Sequence, residues 1–174
     1  MEKKEYKATW GKALWIISTF ATAILLAVAV LPVPGLWWVR ILPLAILMGA
    51  VPFVVRGYTI RDDALLIRRL FWNTRIELSG LRSACIDPSV ICGSIRTCGN
   101  GGLFSFTGWY WNRRLGKYRM YVTDLKQPVV LTFDTRCIVV SPSDPEAFVR
   151  ELSVRCGCGC SKDASCFCGG TKCG

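Results

Sequence analysis

Six cysteines crowd the end of the chain, in the sequence CGCGCSKDASCFCGGTKCG. They are Cys156, Cys158, Cys160, Cys166, Cys168 and Cys173. Cys-x-Cys spacing with glycine between lets neighbouring thiolates turn toward one centre, and soft sulfur ligands select zinc, Cu(I) or iron–sulfur clusters. Thiolates without histidine suit a four-cysteine zinc site with spare ligands, or a small zinc or Cu(I) cluster. These six residues are the predicted metal ligands, with zinc or Cu(I) as the predicted metal.

Two other interpretations of the tail stay open. It can be a disordered, ligand-free end, or its thiols can serve redox chemistry or disulfides. A cytoplasmic location argues against stable disulfides, because thiols are kept reduced there. The isolated cysteines Cys85, Cys92, Cys98 and Cys137 are expected to be small buried residues rather than ligands.

A second segment, GLFSFTGWYWNRRLGKYR, interleaves aromatic and basic residues. Its cations are the predicted membrane-binding or partner-binding residues: Arg113, Arg114, Lys117 and Arg119. Beside a bilayer, Trp109 and Trp111 can enter the interface while the cations meet anionic lipid headgroups. The alternative makes the cations a solvated rim. For the aromatic residues we favour burial, in the core or against apolar helices: Phe104, Phe106, Trp109 and Tyr110.

Composition argues against catalysis and against nucleic acid as a partner. The chain has no histidine, the commonest general base and zinc ligand. No Ser-His-Asp set, phosphate-binding loop or nucleotide fingerprint is present. The chain carries 22 basic and 12 acidic residues, but no RNA-binding motif or long basic run accompanies this charge. We therefore expect a protein that is not an enzyme.

The elements that must position these residues begin with two apolar runs, residues 13–31 and 36–55. The first has no charged residue and is long enough to cross a hydrocarbon core of roughly 30 Å. The second contains Arg40, Pro43 and Pro52. Arg40 lies near the helix end, where it can reach the headgroups, and prolines are tolerated in membrane helices. The sequence thus predicts a two-helix transmembrane hairpin.

Charge flanking the two runs predicts their orientation. Lysines precede the first run and arginines follow the second, with only Arg40 near the connecting turn. Basic residues concentrate on the cytoplasmic side, so both termini and the remaining domain are expected there, in a multi-pass protein of the cell membrane. A soluble core hairpin and a cleaved signal peptide are the alternatives, but no polar stripe is visible and the first run exceeds a usual signal core. No GxxxG seam is present.

After residue 56 the sequence changes to short alternating stretches typical of strands. Seven strands are predicted, at residues 58–60, 65–67, 74–78, 81–86, 118–122, 129–133 and 137–140. Residues 87–102 are glycine-rich, which predicts a long connection or a distorted strand. A terminal helix begins near Pro145, with Ser143 and Glu146 at capping-box spacing. Arg68 and Arg69 are adjacent on a strand, so at most one of them is expected to meet a ligand.

Three stretches carry a family resemblance: GYTIRDDALLIRR, LGKYRMYVTD and VVSPSDPEAFVREL. With this order of strands and helix, the chain from Gly57 to Leu152 resembles the pleckstrin-homology (PH) fold, in particular its bacterial membrane-associated branch. The resemblance implies a small bent barrel plugged by the helix and a non-catalytic role in docking to membranes or proteins. The tryptophan-rich centre and the cysteine tail depart from the family pattern.

The predicted class is α+β, with a two-helix transmembrane hairpin followed by a PH-like seven-stranded antiparallel barrel capped by a C-terminal helix. The predicted segments are a basic N-terminus (1–12), the hairpin (13–55), the PH-like domain (56–153) and the tail (154–174). The leading functional hypothesis is a membrane-anchored adaptor that binds lipid headgroups or a protein partner. The alternatives are a membrane-tethered metal-binding or metal-sensing module, or a subunit of a larger membrane complex.

Overall fold

The computed structural model describes residues 4–30, 37–61, 63–101 and 103–156. These residues form three helices: α1 (Lys12–Val30), α2 (Trp37–Ala50) and α3 (Pro145–Cys156). They also form ten strands: β1 (Lys4–Lys7), β2 (Val55–Arg61), β3 (Ala64–Arg69), β4 (Asn73–Glu77), β5 (Leu81–Ile86), β6 (Ile95–Gly101), β7 (Phe106–Asn112), β8 (Gly116–Val122), β9 (Val129–Phe133) and β10 (Cys137–Val140). All seven predicted strands are found.

The strands form two sheets, of order β1-β2-β3-β4 and β5-β9-β10-β8-β7-β6. Neighbouring strands are antiparallel except β10 and β8, which are parallel. Within the described residues, no strand of one sheet pairs with a strand of the other. The prediction of a closed, seven-stranded antiparallel barrel is therefore wrong. The two sheets do not join into one barrel, and among the described residues they contain ten strands instead of seven.

The main core lies where both sheets and α3 meet. Residues of β2 and β3 such as Tyr58 and Ile67 pack with Leu131 of β9, Ile138 of β10 and Phe148 of α3. A second cluster covers the other face of the six-stranded sheet, where Val90 and Leu115 lie over β8 and β10. Because both faces of β10 are covered, all four of its side chains are buried, which explains its unbroken apolar sequence.

The terminal helix α3 begins where the sequence predicts it, with Pro145 as its first residue. Its cap differs from the prediction. The Asp144 carboxylate accepts a hydrogen bond from the Ala147 amide at 3.0 Å, so Asp144 caps the helix in place of the Ser143 and Glu146 pair. Phe148 and Leu152 then point into the main core.

The N-terminal segment is part of the domain. β1 pairs antiparallel with β2, from Lys4 opposite Ile60 to Lys7 opposite Gly57. The Tyr6 ring is buried against Phe148, with centroids 5.2 Å apart. The sequence indicates only a basic arm here, because four residues are too short a stretch to show a strand period.

The helices α1 and α2 contact each other and leave the domain from one edge. α1 begins where the Gly11 amide donates to the Thr123 carbonyl, and the Phe104 amide donates to Ser18 Oγ at 3.0 Å. Beyond Leu14 and Ser18, most of its apolar side chains are exposed, as are those of α2. Neither helix is therefore a buried core helix of the described chain.

Of the described helices, α1 alone is long and apolar enough to cross a membrane. The second predicted run yields a helix of 14 residues followed by a 3-10 turn, Val51–Phe53. It ends early because Pro52 lies in this turn and Val55 already belongs to β2. The prediction of two full-length transmembrane helices is thus not supported.

The glycine-rich stretch contains a distorted strand, one of the two predicted alternatives. β6 pairs with β7, and its register shifts between Arg96 and Cys98. Gly99 and Gly108 lie opposite each other with φ values of 119° and 146°. A Cβ on Gly108 would lie 2.2 Å from the Cys98 carbonyl oxygen, so the two backbones approach too closely for any side chain.

Candidate binding surface

The end of α2 meets the domain beside the turn between β3 and β4. Phe53 ends the 3-10 turn, and its ring lies edge-on to Trp72 with centroids 5.6 Å apart. The Arg69 amide donates to the Trp72 carbonyl at 3.1 Å and closes the turn. Leu70, Phe71 and Trp72 are exposed, and Phe71 is 72% exposed. We call residues 70–72 the apolar tip.

Arg69, the last residue of β3, has its guanidinium enclosed by aromatic rings. Its Cζ lies 5.6 Å from the ring centroids of both Phe53 and Trp72, and 5.3 Å from that of Tyr121. Such contacts favour the cation. The Nε atom, however, is buried without a hydrogen-bond partner, and burial lowers the pKa of Arg69. Since arginine stays protonated in proteins, Arg69 is a partly buried, incompletely satisfied positive charge.

Two further cations lie on β8 beside this group. Lys117 and Arg119 project to the same side of the strand, because side chains alternate along it. Trp109 lies opposite Arg119 in the β7–β8 ladder. Its ring centroid is 4.9 Å from Lys117 Nζ and 5.1 Å from Arg119 Cζ. Arg119 Cζ is also 5.7 Å from the Tyr121 centroid, so Arg69 and Arg119 share one ring.

An open pocket of about 450 Å³ separates the end of α2 from the six-stranded sheet. Its apolar wall comes from α2 and the 3-10 turn, and its charged wall from Arg69 and Arg119. A second pocket of about 230 Å³, between β4 and β8, shares Trp109, Arg119 and Tyr121 with the first. Together they form what we call the cationic groove, lined by Arg69, Arg75, Lys117, Arg119 and Arg136.

The cationic groove lacks acidic partners. Among the described residues, no carboxylate lies within 4.0 Å of a charged nitrogen of these five cations. Some cations elsewhere on the domain are paired: Arg68 contacts Glu5 at 3.2 Å and Arg82 contacts Asp134. Like charges that converge without a counter-charge repel one another, so an anion bound in the groove would be stabilised.

Of the four basic residues that the sequence predicted to bind a membrane or partner, two lie in the cationic groove and two do not. Lys117 and Arg119 line the groove, whereas Arg113 and Arg114 lie in the turn at the far end of β7 and β8. This turn is about 20 Å along β8 from the edge that contacts the helices. Arg114 is also engaged, because its guanidinium contacts the Asp87 carboxylate at 3.0 Å and donates to Ser89 Oγ at 2.6 Å.

Residues 56–156, which run from β2 to α3, match the family model of the bacterial PH domain. The chain belongs to the bacterial PH domain family. Among the curated proteins and among the solved structures, none matches it. The resemblance to a bacterial PH domain, drawn from the three sequence stretches, is thereby confirmed. All five cations of the groove belong to the PH domain, whereas the apolar wall of its larger pocket comes from outside the matched residues.

Burial was expected for four aromatic residues of the PH domain: Phe104, Phe106, Trp109 and Tyr110. Tyr110 is buried and Phe104 and Phe106 are half-buried, but Trp109 is exposed, so the expectation is wrong for Trp109. The ring centroids of Phe104 and Trp10 lie 6.2 Å apart. Trp109 and Trp111 remain partly exposed, but only Trp109 lies in the cationic groove. Three of the groove's cations, Arg69, Arg75 and Arg136, and the apolar tip beside the groove were not singled out from the sequence. Adjacent Arg68 and Arg69 indicated one inward-facing cation without showing which.

The described cysteines of the PH domain are not grouped as metal ligands. The described stretches contain no group of three or more histidine, cysteine or acidic residues that could hold a metal. Cys137 is buried as predicted, whereas Cys92 and Cys98 are exposed. Cys85 is buried but disulfide-bonded, contrary to the expectation of reduced thiols. Of the predicted ligands, Cys156 ends α3, and the rest lie outside the described residues: Cys158, Cys160, Cys166, Cys168 and Cys173.

Proposed function

We propose that the chain is a membrane-anchored, non-catalytic adaptor whose PH domain docks against the cytoplasmic leaflet through the cationic groove and the apolar tip. PH domains are typically binding modules, and this part of the proposal needs only the family. Membrane docking rests on one observation: the two apolar helices leave the domain at the edge that carries the groove and the tip.

Pairing of β1 with β2 supports an even number of membrane crossings. β1 precedes α1, β2 follows α2, and the two strands hydrogen-bond to each other. Both ends of the helix pair therefore lie on one side of a bilayer. α1 is about 28 Å long, and α2 with its 3-10 turn is about 27 Å long, so the second segment can return as far as the first extends. A polar environment would leave both apolar surfaces uncovered.

The charge pattern supports the cytoplasmic side for the PH domain. Lys4 and Lys7 precede α1, Lys12 is its first residue, and Arg56 follows α2, so all four lie at the domain end of the helices. Basic residues near membrane segments favour the cytoplasm. Anionic headgroups there stabilise each nearby cation by about 1 kcal/mol. Exposed aromatic side chains are also stabilised when they enter the membrane interface. The cations Lys117 and Arg119 fit the first role, and the aromatic residues of the apolar tip fit the second.

Reporter fusions test the topology. A fluorescent protein that matures only in the cytoplasm and a phosphatase active only outside it are fused, in separate strains, after Gly35 and after Gly174. We expect fluorescence after Gly174 and phosphatase activity after Gly35. The same reporter active at both positions would contradict the two crossings, and phosphatase activity after Gly174 would contradict the cytoplasmic side.

A membrane-tethered metal-binding or metal-sensing role for the tail stays a prediction from its cysteine spacing. No described contact favours it over the adaptor function, and an analysis of bound metal is the direct test. Docking of a protein partner in the cationic groove remains part of the adaptor proposal, and the groove's charge favours an acidic one.

A further inference from the structure

We infer that the pocket between α2 and the PH domain binds one membrane phospholipid, with the lipid phosphate at Arg69 and Arg119 and the acyl chains along α2. The inference rests on the proposed function, because it requires α2 to lie in a bilayer. It adds a defined lipid site that neither the helix nor the PH domain forms alone.

The two walls of the pocket match the two halves of a phospholipid. Ile46, Gly49, Ala50 and Phe53 supply an apolar wall. One turn before Ile46 the same face of α2 continues through the exposed Leu42, so an acyl chain can follow the helix. The opposite wall carries Arg69 and Arg119. A soluble anion would leave the apolar wall unused, and a hydrocarbon alone would leave the charges unpaired.

Arg69 is poised to bind an anion. Its guanidinium is held by three rings, which restricts its rotation before any ligand arrives. Its buried Nε–H group has no hydrogen-bond acceptor. A buried donor without an acceptor destabilises the folded protein until an acceptor binds. Arg119 brings a second guanidinium over the Tyr121 ring. Guanidinium groups bind phosphate oxygens through strong, charge-assisted hydrogen bonds.

Gly49 allows the pocket to be closed without any change in charge. It lines the pocket, and a Cβ built on it meets nothing within 4 Å. A Cβ at this position therefore meets no neighbour, and the rest of a leucine side chain would occupy space that the lipid needs. Leucine also favours the helix more than glycine does.

The test uses the full-length protein in nanodiscs of phosphatidylcholine with a minor fraction of phosphatidylglycerol. Lipid that remains bound after transfer to neutral detergent is counted by native mass spectrometry. We expect phosphatidylglycerol to be retained by the unchanged protein. Retention should fall about tenfold in R69Q, R119Q and G49L, because each removes a charge-assisted contact or the space itself. The matched controls R68Q and R113Q should stay within about twofold, since these exposed cations lie outside the pocket.

Competition with inorganic phosphate and glycerol phosphate separates the possible sources of the phosphate group. If either displaces the lipid at equal concentration, the site recognises a free phosphate and the inference of a phospholipid is wrong. Equal retention in G49L and in the unchanged protein would also overturn it, even if an arginine variant misfolds. The reporter fusions test the number of membrane crossings independently of the pocket. A result against two crossings and a result against lipid binding in the pocket can therefore be distinguished.

Discussion

Arg69 and Arg119 place their guanidinium groups over the same Tyr121 ring, with Cζ-to-centroid distances of 5.3 and 5.7 Å. They come from different sheets, β3 and β8, and none of the described carboxylates pairs with either one. Burial, and also the nearby positive charge of Arg119, lower the pKa of Arg69, as expected for two cations that repel each other.

We predict that R69Q and R119Q are energetically coupled. Each single change relieves the repulsion, but the second change in the double variant has none left to relieve. The double variant should therefore be about 0.5 kcal/mol less stable than the sum of the single effects predicts. Denaturant unfolding in neutral detergent at low salt measures this difference, which should shrink as salt is added. The pair R68Q and R119Q is the control, and equal coupling in both pairs would contradict the prediction.

The apolar tip predicts a site of contact with lipid. Phe71 is 72% exposed and precedes Trp72, whose ring packs on Phe53 at the end of α2, whereas Val154 is 80% exposed on α3. A photo-crosslinking amino acid in place of Phe71 should form lipid adducts in nanodiscs, and the same amino acid in place of Val154 should not. Mass spectrometry of the adducts decides. Equal lipid labelling at both positions would show that the tip has no special relation to the bilayer.

β1 makes the stability of the PH domain depend on residues that precede α1 and α2. Tyr6 is buried on Phe148 and donates to the Ala147 carbonyl at 3.3 Å. Tyr6→Ala should therefore cost about 3 kcal/mol of unfolding free energy, as large-to-small changes of buried aromatic residues do. Lys7→Ala, at an exposed position of the same strand, is the control and should change stability by less than about 0.5 kcal/mol. Denaturant unfolding of the full-length protein measures both, and similar values would mean that β1 adds nothing.

The cysteine tail gives a prediction independent of the groove. Full-length protein purified anaerobically should carry zinc or Cu(I), and a variant that ends at Arg155 should carry neither. Elemental analysis measures both. Folded thiolate sites bind metal tightly, so a content below about 0.2 metal per chain in the full-length protein would rule out the metal-binding alternative.

The strands of the PH domain that were predicted are short runs rich in leucine, β-branched or aromatic residues between turn residues, as in β2, β3 and β8. This pattern misses β1, which is short, and β6, whose glycines allow a close approach but give no period. β7 was also missed, because its residues were assigned to the aromatic and basic segment without a strand. The parallel pairing of β10 with β8 joins strands that are not neighbours along the chain. No local pattern encodes this, so the sequence suggested an antiparallel barrel.

The sequence predicted the chemical type of the site better than its position in the fold. Aromatic and basic residues near Trp109 indicated a binding surface, and Lys117 and Arg119 do lie in the cationic groove. Arg69 comes from another sheet, about fifty residues earlier in the chain. Its meeting with Arg119 depends on how the two sheets pack, which spacing along the chain does not reveal. Arg113 and Arg114 share the local motif but lie at the opposite end of the hairpin.

Tyr58 predicts how the PH domain responds to alkali. Its hydroxyl is buried and donates to the Tyr121 carbonyl at 2.6 Å, and burial raises the pKa of Tyr58 to about 12. An unfolded tyrosine ionises near pH 10, so between about pH 10 and 12 the unfolded state has lost the proton that the folded state keeps.

Stability is therefore complete below pH 10 and should fall by about 3 kcal/mol as the pH rises to 12. Tyr58→Phe removes this group and should flatten the alkaline loss, while it lowers stability at neutral pH by about 1 kcal/mol through the lost hydrogen bond. Denaturant unfolding from pH 8 to 12 measures both curves. Parallel curves for the two proteins would show that another group causes the alkaline unfolding.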